Sequence, residues 1–196
     1  MTEALLFHFV NQKNYSHVKY PTTISPEMPL KEPYPSVAEA GCGLCSAVMM
    51  VERLTGKRLS VEEAIDFSVQ AEANRDGTDM KKLSKKLCEA FPLSVRFSNR
   101  ISELKDCLET GGCAIINAGK TNGLFSDGGH FLLAFQYEEQ GVWLADPSFS
   151  EDKYHREERS HQVHIEPPLV LASLKQIEEQ CSNREPAYYL FQGVSL

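Results

Sequence analysis

Cys42, which stands between two glycines in the segment Ala40-Gly41-Cys42-Gly43, is the residue of this sequence best suited to nucleophilic chemistry. The apolar run that follows predicts a buried helix, so the thiol lies at a helix start. There the free N–H groups of the first turn and the helix dipole favour negative charge and lower the pKa of a thiol. The glycines also let the backbone of a substrate come close. A small buried thiol without chemistry is the alternative interpretation.

A nucleophilic thiol needs a base, and the base needs a group that orients it. His130 begins one apolar run, and Asp146 directly follows the next run at 142–145. The link at 138–141 predicts a tight connection, so the two runs are expected to pair as an antiparallel hairpin. That pairing would bring His130 and Asp146 to the same end of the hairpin. Taken singly, His130 also fits a buried core histidine, and Asp146 fits a turn residue before proline.

In the order Cys, His, Asp, these segments resemble the papain-like cysteine peptidases, specifically the bacterial branch with the double-glycine (bacteriocin-leader) peptidases and their stand-alone relatives. The matching motifs are Gly41-Cys42-Gly43, Gly129-His130-Phe131 and Asp146-Pro147. The resemblance implies an α+β fold in which an N-terminal helical half, with the nucleophile at a helix start, packs on a C-terminal antiparallel sheet. It also implies a hydrolase that cleaves a peptide or other amide bond through a thioester acyl-enzyme, with Cys42, His130 and Asp146 as the triad.

Gln12, in the segment 11–15, resembles the amino-terminal glutamine of the same family. The side-chain amide of that residue helps the N–H group of the nucleophile to stabilise an oxyanion. Gln12 is therefore the candidate for the oxyanion hole. A polar surface residue is the alternative, because one glutamine is a short motif.

Leu44 and Cys45 depart from the pattern of that branch, in which many members have proline and then threonine or serine. Cys-Gly-Leu is similar to the phytochelatin-synthase branch, which transfers an acyl group to an amine, so acyl transfer stays open. A non-catalytic peptide-binding module of the same fold also stays open. Aligning Cys45 as the nucleophile would put Glu39 where a neutral amide donor is needed, so Cys42 is preferred. Cys45 is expected to pack one turn further along the helix or to act as a redox-sensitive neighbour.

Two other chemistries are disfavoured. The segment 42–45 is a Cys-x-x-Cys motif, but the proline-rich stretch 21–35 precedes it, whereas a thioredoxin motif follows a strand of a βαβ unit. His155, His161 and His164 lie close together in the sequence, yet they lack a nearby Cys pair or a His-Glu-x-x-His pattern. We therefore expect no metal and no cofactor.

Composition favours a single domain over residues 1–196, because a chain of 196 residues with 42% hydrophobic content can bury one core and is short for two. The net charge of −7 disfavours nucleic acid and anionic membranes as partners. Residues 1–8 carry an acidic side chain and too short an apolar stretch for a signal peptide. We expect a cytoplasmic protein with its 6 cysteines reduced, and a peptide or amide substrate as its partner. The oligomeric state is not indicated.

Periodicity and capping residues predict the remaining elements. In chain order they are a strand at 5–10, helices at 43–54 and 61–73, a third helix through Cys88 capped by Thr78 or Asp79, a strand at 94–97, a helix at 102–108, strands at 113–118, 131–137 and 142–145, a helix at 169–180, and a strand at 188–191. The segments 21–35 and 148–160 are predicted to be irregular, and either of them could cover the site. The polar loop 119–128 either lines the cleft or is a plain surface loop.

Overall fold

The computed structural model describes residues 6–25, 27–120 and 122–194. Within these ranges the helices are α1 (Val37–Ala40), α2 (Cys42–Thr55), α3 (Val61–Gln70), α4 (Met80–Ala90), α5 (Ile101–Glu109), α6 (Glu151–His155) and α7 (Leu174–Cys181). The strands are β1 (Leu93–Ser98), β2 (Cys113–Ala118), β3 (His130–Glu138), β4 (Gly141–Ala145), β5 (His164–Glu166), β6 (Leu169–Ala172) and β7 (Tyr188–Gly193). A 3₁₀ turn spans Gln12–Tyr15. None of the helices in these ranges is long and apolar enough to cross a membrane.

The strands form one antiparallel sheet in the order β1-β7-β2-β3-β4-β6-β5. β3 and β4 pair as a hairpin, with Glu138 opposite Gly141. The predicted pairing of these two runs is therefore confirmed. Because the strands run in opposite directions, the first residue of β3 and the residue after β4 come to the same end of the sheet.

Helices cover both faces of this sheet. The helices α2, α3 and α4 share one apolar cluster with Ile115 and Leu133, whereas α5 and α7 share a second cluster with Ile116 and Leu132. Successive strand residues point to opposite faces, so neighbouring residues contribute to different clusters. The α+β class with an antiparallel sheet agrees with the expectation. The division into an N-terminal helical half and a C-terminal sheet holds only for one face, because α5 and α7 pack on the other.

The central helix α2 is apolar on nearly all sides, since every residue from Gly43 to Glu52 is buried. Gly56, with a φ of 67°, ends it in the left-handed conformation that glycine adopts without strain. Ser60 opens α3 with the predicted capping box, and Asp79 caps α4 by accepting from the N–H of Lys82. These helix boundaries follow from local hydrogen bonding, which is why their residues predicted them.

Several sequence predictions need correction or lie outside the described ranges. Residues 6–10 form no strand, and the predictions for residues 1–5, Pro26 and Thr121 lie outside the described residues. The segment predicted as one helix at 169–180 is strand β6 followed by helix α7, because Ser173 caps a helix start in its middle. The segment 148–160 contains the short helix α6, and α3 ends at Gln70 rather than near Ala73.

Candidate active site

Cys42 is the first residue of α2 and is partly exposed. The helix starts close to the chain at Thr78, since a Cβ on Gly43 would lie 2.9 Å from the Cβ of Thr78. Burial acts most strongly on the pKa of the Cys42 thiol and raises it. The hydrogen bond and positive charge of His130, together with backbone hydrogen bonds from Phe131 and Gly43, outweigh burial, so the pKa lies below the ordinary thiol value.

His130 and Asp146 are in direct contact. The Nε2 atom of His130 lies 2.6 Å from the Oδ1 atom of Asp146, and both side chains are buried. Because Nε2 is engaged in this way, Nδ1 is the nitrogen left for the hydrogen bond between His130 and Cys42. The hairpin explains the contact, since β3 begins at His130 and Asp146 follows β4. The three side chains that the sequence singled out therefore lie together, with Cys42 and His130 lining one groove and Asp146 bonded to His130.

Asp146 has further partners that the sequence analysis missed. Its Oδ2 atom accepts hydrogen bonds from Nζ of Lys153 at 2.5 Å and from the hydroxyl of Tyr154 at 2.6 Å. Its Oδ1 atom accepts from the backbone N–H of Ser148 at 2.8 Å. Lys153 and Tyr154 belong to α6, in a segment predicted to be irregular. The signal available in the sequence was the acidic pair Glu151-Asp152 in the first turn of this helix, which favours a helix start.

The charges of this cluster stabilise one another. Burial raises the pKa of Asp146, but the positive charges and hydrogen bonds of His130 and Lys153 hold that pKa well below its usual range. For His130, burial is the strongest influence and lowers the pKa. The Asp146 carboxylate and the hydrogen bonds to Asp146 and Cys42 outweigh both burial and the repulsion from Lys153, so the pKa of His130 is raised. A thiol with a lowered pKa beside an imidazole with a raised pKa favours a thiolate–imidazolium pair.

Gln12 is buried, with 6% of its surface exposed, so it is not a surface residue. Its side-chain N–H donates to the carbonyl of Ala38 at 2.8 Å, and its backbone N–H donates to the carbonyl of Pro147 at 2.7 Å. Gln12 thus joins the segment leading into α2 to the segment following Asp146. Its Oε1 atom is buried and has no hydrogen-bond partner among the described residues. Gln12 is not among the residues that line the groove over Cys42 and His130.

A groove of about 520 Å³ opens over Cys42 and His130. Its lining residues are Ile24, Glu39, Ala40, Cys42, 75–81, Asn117, 129–131, 184–186 and Tyr189. In the described part of the chain, neither the loop 119–128 nor the segment 148–160 contributes to this lining. The segment 148–160 instead packs behind Asp146, and Ile24 of the proline-rich segment lies at the groove with most of its surface exposed. The described residues of the two segments, 21–25, 27–35 and 148–160, do not close the groove over the thiol.

Cys45 and the three histidines at 155, 161 and 164 are the alternative candidates for chemistry. Cys45 is fully buried, and burial raises the pKa of its thiol. His155, His161 and His164 are exposed, and among the described residues no group of three or more metal-ligating side chains comes together. All 6 cysteines are free thiols. Glu39 is engaged in the capping box at the start of α1, where it accepts from the N–H of Ser36.

Comparison with known proteins finds likeness to solved structures but no match by sequence. No protein-family model matches the chain, and no curated protein matches it. A crystal structure of a candidate C39-like peptidase from Bacillus anthracis resembles it with a TM-score of 0.42 and 13% sequence identity, over 57% of this chain and 76% of that one. A likeness at this level is too weak to assign chemistry. The site is therefore defined by the side chains of this chain itself, the partly exposed residue Cys42 and a buried imidazole bonded to a carboxylate at one groove.

Proposed function

We propose that this chain is a cysteine hydrolase that cleaves a peptide or another amide bond. The observation that carries the proposal is the pairing of Cys42 with His130, whose other ring nitrogen lies 2.6 Å from Asp146, at the base of an open groove. A thiol, a base and a group orienting the base form the minimal set for covalent acyl chemistry.

Each side chain has a defined part in the proposed reaction. The thiolate of Cys42 attacks the carbonyl carbon of the substrate, and the imidazolium of His130 gives its proton to the departing amine as the C–N bond breaks. Water, deprotonated by His130, then attacks the thioester, which releases the acid and restores the thiol. Asp146 keeps Nε2 of His130 engaged and stabilises its positive charge. No metal or cofactor takes part in these steps.

The oxyanion is assigned to two donors, the backbone N–H of Cys42 and the side-chain amide of Gln12. The N–H of Cys42 belongs to the first turn of α2 and has no helical partner there. The amide of Gln12 contacts Ala38, shortly before the nucleophile, and it keeps one N–H free for a second bond because an amide nitrogen carries two. Removal of one such donor typically lowers kcat by about 10²- to 10³-fold.

The rate at which iodoacetamide alkylates each cysteine between pH 4 and pH 9, followed by mass spectrometry, tests the proposal. Cys88 is a matched control, because it is also partly exposed but burial raises its pKa. At pH 6 we expect Cys42 to react about 100-fold faster than Cys88, since its thiolate is present where an ordinary thiol is protonated. In the His130→Ala variant, Cys42 should react slowly with an ordinary thiol profile.

Equal rates at Cys42 and Cys88, or a fast rate that persists in His130→Ala, would overturn the assignment. Fast labelling justifies incubation with a peptide library and detection of the acyl-enzyme by intact mass. Adding an amine acceptor to the same reaction separates hydrolysis from acyl transfer, because the transferase produces an amide in place of the acid. Fast alkylation without any acyl-enzyme would favour the non-catalytic binding module.

A further inference from the structure

Arg184 is an arginine of the groove that has no side-chain partner among the described residues. It lies between α7 and β7 and lines the same groove as Cys42 and His130. The side chain is partly buried, and its Nε atom is shielded from solvent without a hydrogen-bond partner. Among residues 6–25, 27–120 and 122–194, no carboxylate forms an ion pair with this guanidinium. Shielding a charged group without a counter-charge is costly, so the arrangement calls for an anionic partner.

Arg159 shows how the same chain treats an arginine with a structural role. Its side chain is 2% exposed, its Nε donates to the carbonyl of Gly123 at 3.0 Å, and its Nη2 donates to the carboxylate of Asp127. The guanidinium of Arg159 is therefore used within the protein. Within the described ranges the guanidinium of Arg184 has no such partner, and the residue lines the groove.

Two glycines make room for the guanidinium of Arg184. A Cβ on Gly129 would lie 2.6 Å from Nη2, and a Cβ on Gly119 would overlap Nε. Neither glycine has a positive φ, so backbone conformation does not require glycine at these positions. The absence of a side chain is used to let the arginine approach closely. Because Gly129 directly precedes His130, the guanidinium is held against the chain that leads into the proposed active site, and it lines the same groove as His130.

A planar guanidinium with free N–H groups binds carboxylates through two parallel hydrogen bonds. We propose that Arg184 binds a carboxylate of the substrate, so that the preferred substrates carry a carboxylate close to the cleaved amide bond. This proposal rests on the proposed function above. The carboxylate has two sources in a peptide, the C-terminus and the side chain of aspartate or glutamate, and both offer the same chemistry to the fork.

Affinity selection tests this proposal without requiring turnover. The Cys42→Ala variant of the full chain is immobilised and given randomised N-acetylated tetrapeptides, and the retained peptides are identified by mass spectrometry. In the first pair of pools, one pool has a free C-terminus and the other an amidated C-terminus. In the second pair, both pools are amidated, and one carries glutamate where the other carries glutamine. In at least one pair, we expect the carboxylate pool to be retained about tenfold over its neutral counterpart. The pair showing the excess identifies the source.

Three double variants, each combining Cys42→Ala with one further substitution, test the role of Arg184 directly. Arg184→Gln should abolish the excess, whereas Arg184→Lys should keep a smaller part of it because a lysine offers charge without the fork. Arg75→Gln is the matched control, since Arg75 also lines the groove but is exposed and solvated, and it should keep the full excess. Thermal unfolding checks that each variant is folded.

The proposal is overturned if neither pair of pools shows an excess, or if the excess persists in a folded Arg184→Gln variant. An excess that follows Arg75 instead also overturns it. Failure of the proposed function would be seen separately, as slow alkylation of Cys42 in the wild-type chain. A carboxylate preference lost with Arg184 but accompanied by an unreactive Cys42 would keep the binding site and refute the hydrolase.

Discussion

Cys42 and Asp146 are the first and last residues of the proposed triad, and different kinds of contact hold them in place. Cys42 is placed by a helix whose residues from Gly43 to Glu52 are buried and mostly apolar. Asp146 is placed by polar groups, with hydrogen bonds from His130, Ser148, Lys153 and Tyr154. One side of the site is positioned by packing and the other by a network of charges and hydrogen bonds.

The two kinds of contact respond differently to substitution. An apolar core loses stability roughly in proportion to the volume removed, and the geometry elsewhere is kept. A buried polar network depends on every member, because a charge that loses its partner keeps its desolvation cost. Changes in α2 should therefore lower stability without changing the chemistry of Cys42. Changes around Asp146 should alter the protonation of His130 as well as stability.

Asp146→Asn should have the largest effect. The substitution keeps the shape but removes the negative charge, which leaves the buried ammonium of Lys153 and the imidazolium of His130 without a counter-charge. We expect a loss of about 3–5 kcal/mol in the free energy of unfolding, measured by urea denaturation at pH 7. The exposed neighbour Asp152 is the control, since Asp152→Asn should change that free energy by less than about 0.5 kcal/mol. A similar loss in both variants would contradict the network.

Asp146→Asn should also change the pKa of His130 and the pH dependence of stability, each in a defined direction. The carboxylate of Asp146 raises the pKa of His130, so Asp146→Asn should lower it. Because the pKa of Asp146 is depressed in the folded protein, its contribution to stability is present above the unfolded pKa and is lost as the pH falls through the folded one. The stability difference between wild type and Asp146→Asn should therefore shrink in acid. A difference that grows in acid would refute this account.

Gln12→Ala should have the next largest effect, and it should act on the rate alone. With any amide substrate found by the library screen, we expect kcat to fall by about 100-fold, while the rate of Cys42 alkylation stays as in the wild type. Gln12→Glu should do the same, because a carboxylate cannot donate to the oxyanion. Asn14→Ala, an exposed change in the same 3₁₀ turn, is the control and should leave kcat unchanged. A loss of alkylation in Gln12→Ala would indicate a structural role instead.

Val51→Ala tests the packed side of the comparison. Val51 is fully buried in α2, and removal of its methyl groups should cost about 2 kcal/mol of unfolding free energy. The ratio of the alkylation rates of Cys42 and Cys88 should stay unchanged in the folded protein. Val69→Ala is the control, since Val69 is exposed in α3 and should show almost no loss. A changed reactivity of Cys42 would mean that packing also tunes the thiol.

Lys153→Met is the smallest of these changes, because Asp146 keeps hydrogen bonds from His130, Ser148 and Tyr154. The positive charge of Lys153 lowers the pKa of His130, so its removal should raise that pKa. Cleavage of an amide needs protonated His130 to donate to the departing amine, so this rate falls as the pH rises through that pKa. In the pH profile of amide cleavage, the alkaline limb should therefore move to higher pH in Lys153→Met, opposite to Asp146→Asn. A shift in the same direction for both variants would contradict the assigned charges.

The features that the sequence predicted correctly depend on neighbouring residues. The capping box at Ser60, the helix end at Gly56 and the hairpin between β3 and β4 are all formed by hydrogen bonds within one short segment. The helix predicted at 169–180 was wrong because the outcome there depends on a distant strand rather than on neighbouring residues. Its apolar spacing fits either a helix or a strand, and β6 formed because β4 offered an edge to pair with.

The sequence by itself determined the residue types of the candidate site and the local elements that carry them. Cys42 at a helix start and His130 and Asp146 at one end of a hairpin follow from local pattern and turn geometry. Only the tertiary structure decided that Lys153 and Tyr154 bond to Asp146 and that Arg184 lines the same groove as His130. The contacts of Lys153 and Tyr154 with Asp146 span only 7 and 8 residues, but they depend on how α6 packs behind the hairpin, and Arg184 reaches the groove from a distant part of the chain. Their geometry is set by the packing of whole elements, for which no short stretch of sequence carries a signal.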